Sequence, residues 1–197
     1  LMFTGIIQDI GMLSKKRQGL YEIKTNLDLK NCKEGSSISC NGVCLTAKNI
    51  NSISNGLSTF EVNIGEETFK RTNLEKCLKD NNKINIERSL SIGDEIGGHF
   101  VYGHVDNVST LLNFTKLKNS WEYNFEKNFN LNNKFIVEKG SISINGISLT
   151  IANVLEKSFS ISVIDHTYKK TNLQYLKKND EVNVEFDYLA RFILQNE

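Results

Sequence analysis

Two stretches of this chain set a thiol or hydroxyl two residues before a threonine. They are Cys44 and Thr46 in Cys40-Asn41-Gly42-Val43-Cys44-Leu45-Thr46-Ala47, and Ser148 and Thr150 in Ile144-Asn145-Gly146-Ile147-Ser148-Leu149-Thr150-Ile151. On a strand, residues i and i+2 share a face, so each stretch shows a matched polar pair while Leu45 and Leu149 point the other way. A free Cys is usually a small buried hydrophobe. The Ser in the matching frame argues instead for a position that keeps a hydrogen-bonding group, which makes both pairs candidate ligand contacts. His104 lies in the Gly-rich run 92–106, where backbone can approach a ligand closely; elsewhere a lone His is more often structural. On a strand, His99 would face away from it, and Cys40 and Cys44 span a turn, so no metal site is expected. Thr68 and Thr167 read equally well as helix N-caps. Asp187 stands where the first half has Ser89, an asymmetry able to separate two chemical roles.

The elements that must position these residues come in duplicate. Besides the paired Asn-Gly-x-x-Leu-Thr frames, Glu66-Glu67-Thr68-Phe69-Lys70-Arg71-Thr72-Asn73-Leu74 returns as Asp165-His166-Thr167-Tyr168-Lys169-Lys170-Thr171-Asn172-Leu173, and Ile84-Asn85-Ile86-Glu87 as Val182-Asn183-Val184-Glu185. The offsets, Cys40 to Ile144, Glu66 to Asp165 and Ile84 to Val182, are 104, 99 and 98 residues in the same order. That is a duplicated domain and not a solenoid, whose repeats are shorter. We divide the chain into modules at 1–99 and 100–188, with a tail at 189–197.

Each module reads as strands. Tyr21, Ile23, Thr25 and Leu27 alternate; Asn41-Gly42, Asn55-Gly56 and Asn145-Gly146 supply the positive φ of tight hairpin turns; helical stretches are expected at 68–78 and 167–177. Short strands with turns every 8–12 residues argue for a barrel or sandwich per module, and about six strands in 90 residues close most easily as a barrel. In the tail, Leu189, Phe192 and Ile193 fall at i, i+3 and i+4 of a helix too short to stand alone, expected to pack against a second subunit. Net charge is +1 with both signs interspersed, which removes the basic footprint of a nucleic-acid binder. No apolar run approaches the ~20 residues of a membrane span, and no signal peptide is evident at the start. All four cysteines fall in the first half; a shared disulfide framework would have been duplicated, so free thiols and a cytoplasmic location are expected.

Taken together, Met2-Phe3-Thr4-Gly5-Ile6, the twin Asn-Gly-x-x-Leu-Thr and Thr-x-x-x-Thr-Asn-Leu segments, and Asp94-Glu95-Ile96-Gly97-Gly98-His99 followed by Gly103-His104 resemble the riboflavin synthase family over essentially the whole chain. The resemblance implies an all-β fold of two tandem six-stranded Greek-key barrels with short helices and a C-terminal helix that helps form a homotrimer. It implies a transferase of riboflavin biosynthesis that needs no cofactor. Two molecules of 6,7-dimethyl-8-ribityllumazine would dismutate to riboflavin and 5-amino-6-ribitylaminouracil, one giving four carbons to the other. The substrate, riboflavin, other copies of the chain and a lumazine synthase are the implied partners.

By motif match the first pocket would use Gly5, Ile6, Ile7, Cys44, Leu45, Thr46, Asn63, Ile64, Gly65, Glu66, Glu67 and Thr68, with Gly103, His104 and Val105 beside it. The second would use Lys139, Ser148, Leu149, Thr150, Ser162, Val163, Ile164, Asp165, His166 and Thr167. Phe3, Ser37, Cys44, Asn85, His104, Ser148 and Asp187 match positions the family implies for catalysis: His104 assisting deprotonation of the acceptor's 7-methyl group, Cys44 or Ser148 polarising or adding to C7, and Asp187 holding ribityl hydroxyls or a proton. The sequence departs from the family pattern at Asn145, where Asp is common, at Asp165-His166, where Pro-Glu is usual, and at Gly65. Two rival readings are a non-catalytic lumazine- or flavin-binding relative, which would keep only one pocket, and a tandem-barrel oligonucleotide binder, which would need a basic aromatic groove. Both halves keep Leu-Thr and Thr-Asn-Leu and the second keeps Lys139, which favours the enzyme.

Overall fold

The computed structural model describes residues 2–53 and 56–194. Leu1, Asn55 of the expected second turn and residues 195–197 of the expected terminal helix lie outside the described residues. The first module contains β1 (Asp9–Arg17), β2 (Leu20–Thr25), β3 (Ser37–Cys40), β4 (Val43–Thr46), β5 (Lys48–Ser52), β6 (Ser58–Asn63) and β7 (Lys83–Arg88), in the sheet order β4-β3-β7-β1-β2-β6-β5. The second contains β8 (Asn107–Lys116), β9 (Ser120–Glu126), β10 (Ser141–Ile144), β11 (Ile147–Val154), β12 (Ser158–Ile164) and β13 (Glu181–Phe186), closed as β10-β11-β12-β9-β8-β13. The two orders coincide when β4 and β5 are taken together as the counterpart of β11. In the first half that strand is cut at Ala47, so the expected six strands appear as seven, and the ends of the sheet meet through that residue. Just past the cut, β5 carries a left-handed Asn49 (φ 44°) and a register slip between Lys48 and Asn51, and the unbroken β11 has the equivalent slip between Ile151 and Asn153.

The expected turns are present at Asn41-Gly42 (φ 55° and 79°) and Asn145-Gly146 (φ 49° and 82°). Consecutive left-handed residues match the twist of a two-residue hairpin, and they set the registers Cys40 to Val43 and Ile144 to Ile147. Alternation then sorts the side chains. Tyr21, Ile23 and Thr25 turn inward with Ile38, Phe60, Val62, Ile84 and Ile86 in the first barrel; Leu111, Phe125, Ile142, Ile144, Ile161 and Val184 fill the second.

The expected helix at 68–78 is two helices, α1 (Glu66–Arg71) and α2 (Leu74–Lys79). That at 167–177 is α3 (Asp165–Lys170) followed by a single 3-10 turn, Asn172–Tyr175. Both break at an extended threonine, Thr72 and Thr171, because the next residue turns its amide to the other barrel. Asn73 N donates to Asn183 Oδ1 and Asn172 N to Asn85 Oδ1, each at 2.7 Å. These belong to a seam of six buried asparagines, Asn41, Asn73 and Asn85 with their repeats Asn145, Asn172 and Asn183. Asn85 Nδ2 donates to Asn145 O at 3.0 Å and Asn183 Nδ2 to Asn41 O at 2.8 Å. At its centre a Cβ added to Gly42 or Gly146 would lie 2.6 or 2.8 Å from the other's nitrogen, so only glycine permits this contact.

The tail is helix α4 (Tyr188–Leu194), tied back by Arg191 to Asp106. Leu189 and Ile193 are 61% and 60% exposed.

Candidate active site

The segments preceding β1 and β8 are two arms that cross. Phe3 and Val101, both fully buried, exchange backbone hydrogen bonds of 2.7 and 3.0 Å. Beyond the crossing, each arm lands on the polar motif of the opposite barrel. Ser148 N donates to Gly5 O at 2.8 Å and Cys44 N to Gly103 O at 2.9 Å. Gly5 (φ 73°) and Gly103 (φ 76°) are left-handed, and a Cβ on either would come within 2.6 Å of the Cβ of Ser148 or Cys44. Ile7 correspondingly packs on the second core and Val105 on the first. Gly103 and Val105 therefore lie against the first barrel, beside Cys44. Gly5, Ile6 and Ile7, expected with them, lie in the second pocket, because the arms are exchanged between barrels.

The strand positions follow the i, i+2 rule. Cys44 and Ser148 are half-buried, Thr46 and Thr150 exposed, and Leu45 and Leu149 buried in the cores. Ser37 lies opposite Thr46 on β3, diagonal to the Cys44 thiol. Burial pushes that thiol above its ordinary value, with Ser37 opposing, so Cys44 is a neutral thiol at neutral pH. In the second barrel Ser148, Thr150, Ser162, Ile164, Thr167, Gly97 and Gly98 line a cleft of about 340 Å³. Ser148 and Thr167 continue into a smaller recess with Ile6, Ile7 and His166. His99 Nδ1 lies 2.7 Å from Ser148 Oγ. Burial lowers the His99 pKa below its ordinary value, with the charge of Asp187 opposing.

Several further expected residues do not line these two cavities. Asn85 belongs to the seam, and Phe3 braces the crossing. Asp187 accepts from Leu189 N at 3.0 Å and so opens α4. The His104 ring is exposed and 6.4 Å from Tyr102. Lys139 is exposed in the turn before β10, and Asp165 receives Trp121 Nε1 at 3.2 Å; neither lines the cleft. Asn63, Gly65, Glu66 and Glu67 are exposed where β6 passes into α1, while Ile64 is buried in the first core. Thr68 and Thr167 are not caps: α1 and α3 begin two residues earlier, and each threonine's carbonyl accepts from the hydroxyl of Thr72 or Thr171. Among the described residues no group of three His, Cys, Asp or Glu is placed to hold a metal.

Three residues not assigned a role from sequence stand out. The first is His99, which its sequence context presents only as a rejected metal ligand. Glu87 accepts from Thr4 N, Thr4 Oγ1 and Gly5 N at 2.8, 3.1 and 3.1 Å. Glu185 accepts from Tyr102, Gly103 and His104 N at 2.6, 2.9 and 3.0 Å. Burial raises both carboxyls to about 7 against the pull of the amide donors. The available signal was the repeated Asn-x-Glu of the last strand of each module, whose alternation puts amide and carboxylate on one face.

Duplicated barrels with exchanged arms and one polar pocket motif apiece define a tandem small-ligand-binding protein. The family description Lumazine binding domain matches residues 4–89 and again residues 102–187. Riboflavin synthases of Actinobacillus pleuropneumoniae and Bacillus subtilis (strain 168) are 37% and 34% identical to the chain. Each alignment covers 98% of this chain, and 89% and 88% of the relative. The chain belongs to the riboflavin synthase family. Among solved structures it resembles LumP complexed with 6,7-dimethyl-8-(1'-D-ribityl) lumazine (TM-score 0.73, 25% identity, 93% of this chain and 98% of that one). It also resembles LumP complexed with riboflavin (TM-score 0.76, 25% identity, 94% and 99%).

Proposed function

We propose that the chain catalyses the dismutation of two 6,7-dimethyl-8-ribityllumazine molecules, one donating four carbons, to riboflavin and 5-amino-6-ribitylaminouracil. The observation that carries this is the matched pair of arm-covered strand motifs: two identical substrates suit two related sites, and each barrel keeps its polar strand pair and receives an arm from the other. The full-length similarity to riboflavin synthases supports the same reading. Cys44, kept a neutral thiol by burial, fits polarisation of C7 better than attack as a thiolate. In the second pocket, neutral His99 beside Ser148 offers an imidazole–hydroxyl pair able to shuttle a proton, alongside the role assigned to His104. Such groups contribute about 10²–10⁴-fold each, and holding two rings in register supplies much of the rest.

We further propose modules at 1–99 and 100–188. Residues 189–197 would carry the contact that makes a homotrimer, supported by the exposed apolar face of α4. A lumazine synthase is the proposed partner that supplies substrate. The four free cysteines support a cytoplasmic location; no described helix is long and apolar enough to cross a membrane.

The test is incubation with 6,7-dimethyl-8-ribityllumazine alone, followed optically and by chromatography. One riboflavin per two lumazines consumed is the expected result. Tight binding without turnover would make the chain a non-catalytic lumazine binder, and absence of binding would refute both readings.

A further inference from the structure

The last strand of each barrel ends on a buried carboxylate, and the fold uses both in the same way. Ile84, Ile86, Val182 and Val184 face the cores, so Asn85, Glu87, Asn183 and Glu185 share the opposite face of β7 and β13. The asparagines go to the seam. Glu87 receives its three hydrogen bonds from Thr4 and Gly5, and Glu185 from three consecutive backbone amides, Tyr102 to His104. Only a carboxylate can accept from converging donors on both of its oxygens; a Gln would turn an NH₂ group toward one of them. A second bond next door steadies each arm. Arg88 N donates to Gln8 Oε1 and Phe186 N to Asp106 Oδ2, both at 2.9 Å.

The arms deliver their glycines crosswise. Glu87 belongs to the first barrel, yet the arm it holds puts Gly5 on Ser148 of the second. Glu185 belongs to the second, yet its arm puts Gly103 on Cys44 of the first. We propose that Glu87 and Glu185 are reciprocal positioning residues, each fixing the wall of the pocket that lies on the opposite barrel. This rests on the reading that the two strand motifs form the pockets. Neither carboxylate touches the reacting atoms; each acts through the arm glycine. Damage to one barrel's carboxylate is therefore felt at the other barrel's site.

Cysteine alkylation by iodoacetamide at a pH well above 7, where Glu87 and Glu185 are ionised, mapped by peptide mass spectrometry, tests this without any turnover. Cys44 is a natural reporter for the first pocket, since Gly103 lies directly on it, and Ser148→Cys is the equivalent reporter for the second. Glu185→Gln is expected to speed Cys44 alkylation by about tenfold or more, the order expected for loss of a charge-assisted hydrogen bond, while Glu87→Gln leaves it within about twofold. In the Ser148→Cys background the pattern reverses. The two variants control for each other, because the carboxylates are equivalently buried and equally bonded, so a merely structural role would move both reporters alike. If either Gln variant fails to fold by circular dichroism, Glu185→Asp and Glu87→Asp keep the charge but shorten its reach, and the same crossed pattern is expected. Equal responses at both reporters, or no response in folded variants, would overturn the proposal. Because alkylation needs no substrate, a protein that binds no lumazine would refute the functional reading and leave this measurement intact.

Discussion

Replacing Asn172 by Ala removes one member of the seam between the barrels, and the cost can be worked from its bonds. Its side chain donates to Asn41 Oδ1 at 2.9 Å and Lys83 O at 3.1 Å, and accepts from Asn85 Nδ2 at 2.9 Å. A neutral hydrogen bond contributes about 1 kcal/mol net, so three give about 3 kcal/mol. The full penalty of orphaned polar groups is avoided at two of the partners. Asn41 Oδ1 still accepts from Asn85 N, and Asn85 Nδ2 still donates to Asn145 O. For a chain of this size about 3 kcal/mol lowers Tm by roughly 6–12 °C. The assay is urea unfolding with the slope held constant, since a changed slope would mean that the barrels had separated into two transitions. Asn113→Ala is the control: its bond to Asn124 is exposed, and a surface change of that kind stays within about 0.5 kcal/mol. In a double-mutant cycle, Asn41 and Asn172 should cost less together than the sum of their single losses, because they share a bond. A loss below about 1 kcal/mol for Asn172→Ala, with an unchanged slope, would show that the seam does not hold the barrels together.

Gly103→Ala should cost about 2–4 kcal/mol, from left-handed strain and the clash with Cys44, whereas Gly19→Ala (φ 71°, open space) should cost only the strain of about 1–2; similar losses in urea unfolding would refute the contact. Glu87 and Glu185, raised to about 7 by burial, bind more protons folded than unfolded between their ordinary value near 4.5 and 7. Stability should therefore fall as pH rises through that window, by roughly 3 kcal/mol per group, and the slope should shrink in Glu185→Gln. His104→Ala and Cys44→Ala should each slow riboflavin formation at least about a hundredfold; near-full turnover in both would remove these residues from the mechanism.

The repeat, the turns and the inward faces of the strands were legible because they are local. Asn-Gly pairs dictate left-handed backbone, and alternation at Cys44-Leu45-Thr46 and Ser148-Leu149-Thr150 sorts polar from apolar sides without reference to the rest of the chain. The resemblance supplied the Greek-key topology and the longer list of site residues. What stayed hidden depends on which module touches which. Nothing in Gly5-Ile6-Ile7 says that it crosses to the other barrel, so it was grouped with Cys44 and not with Ser148. The helix breaks at Thr72 and Thr171 follow from tertiary bonds of the next asparagine, which override the helical pattern. Asn85 entered the candidate list through the resemblance alone; its place in the seam depends on Asn145 and Asn172 of the other barrel, which no local pattern announces. The cut at Ala47 has no local signal either, since its counterpart Ile151 continues β11 without interruption.

The asparagine seam also bears on how the molecule is made. A ribosome releases the first barrel before the second exists, and Asn172 trails Asn73 by 99 residues, or roughly 5–20 s of synthesis. Throughout that wait, the face destined for the partner shows Asn41, Asn73 and Asn85, whose amides water can satisfy. An apolar face of the same size would invite a neighbouring nascent chain; this one can stay wetted until the matching amides arrive on the same polypeptide and displace the water.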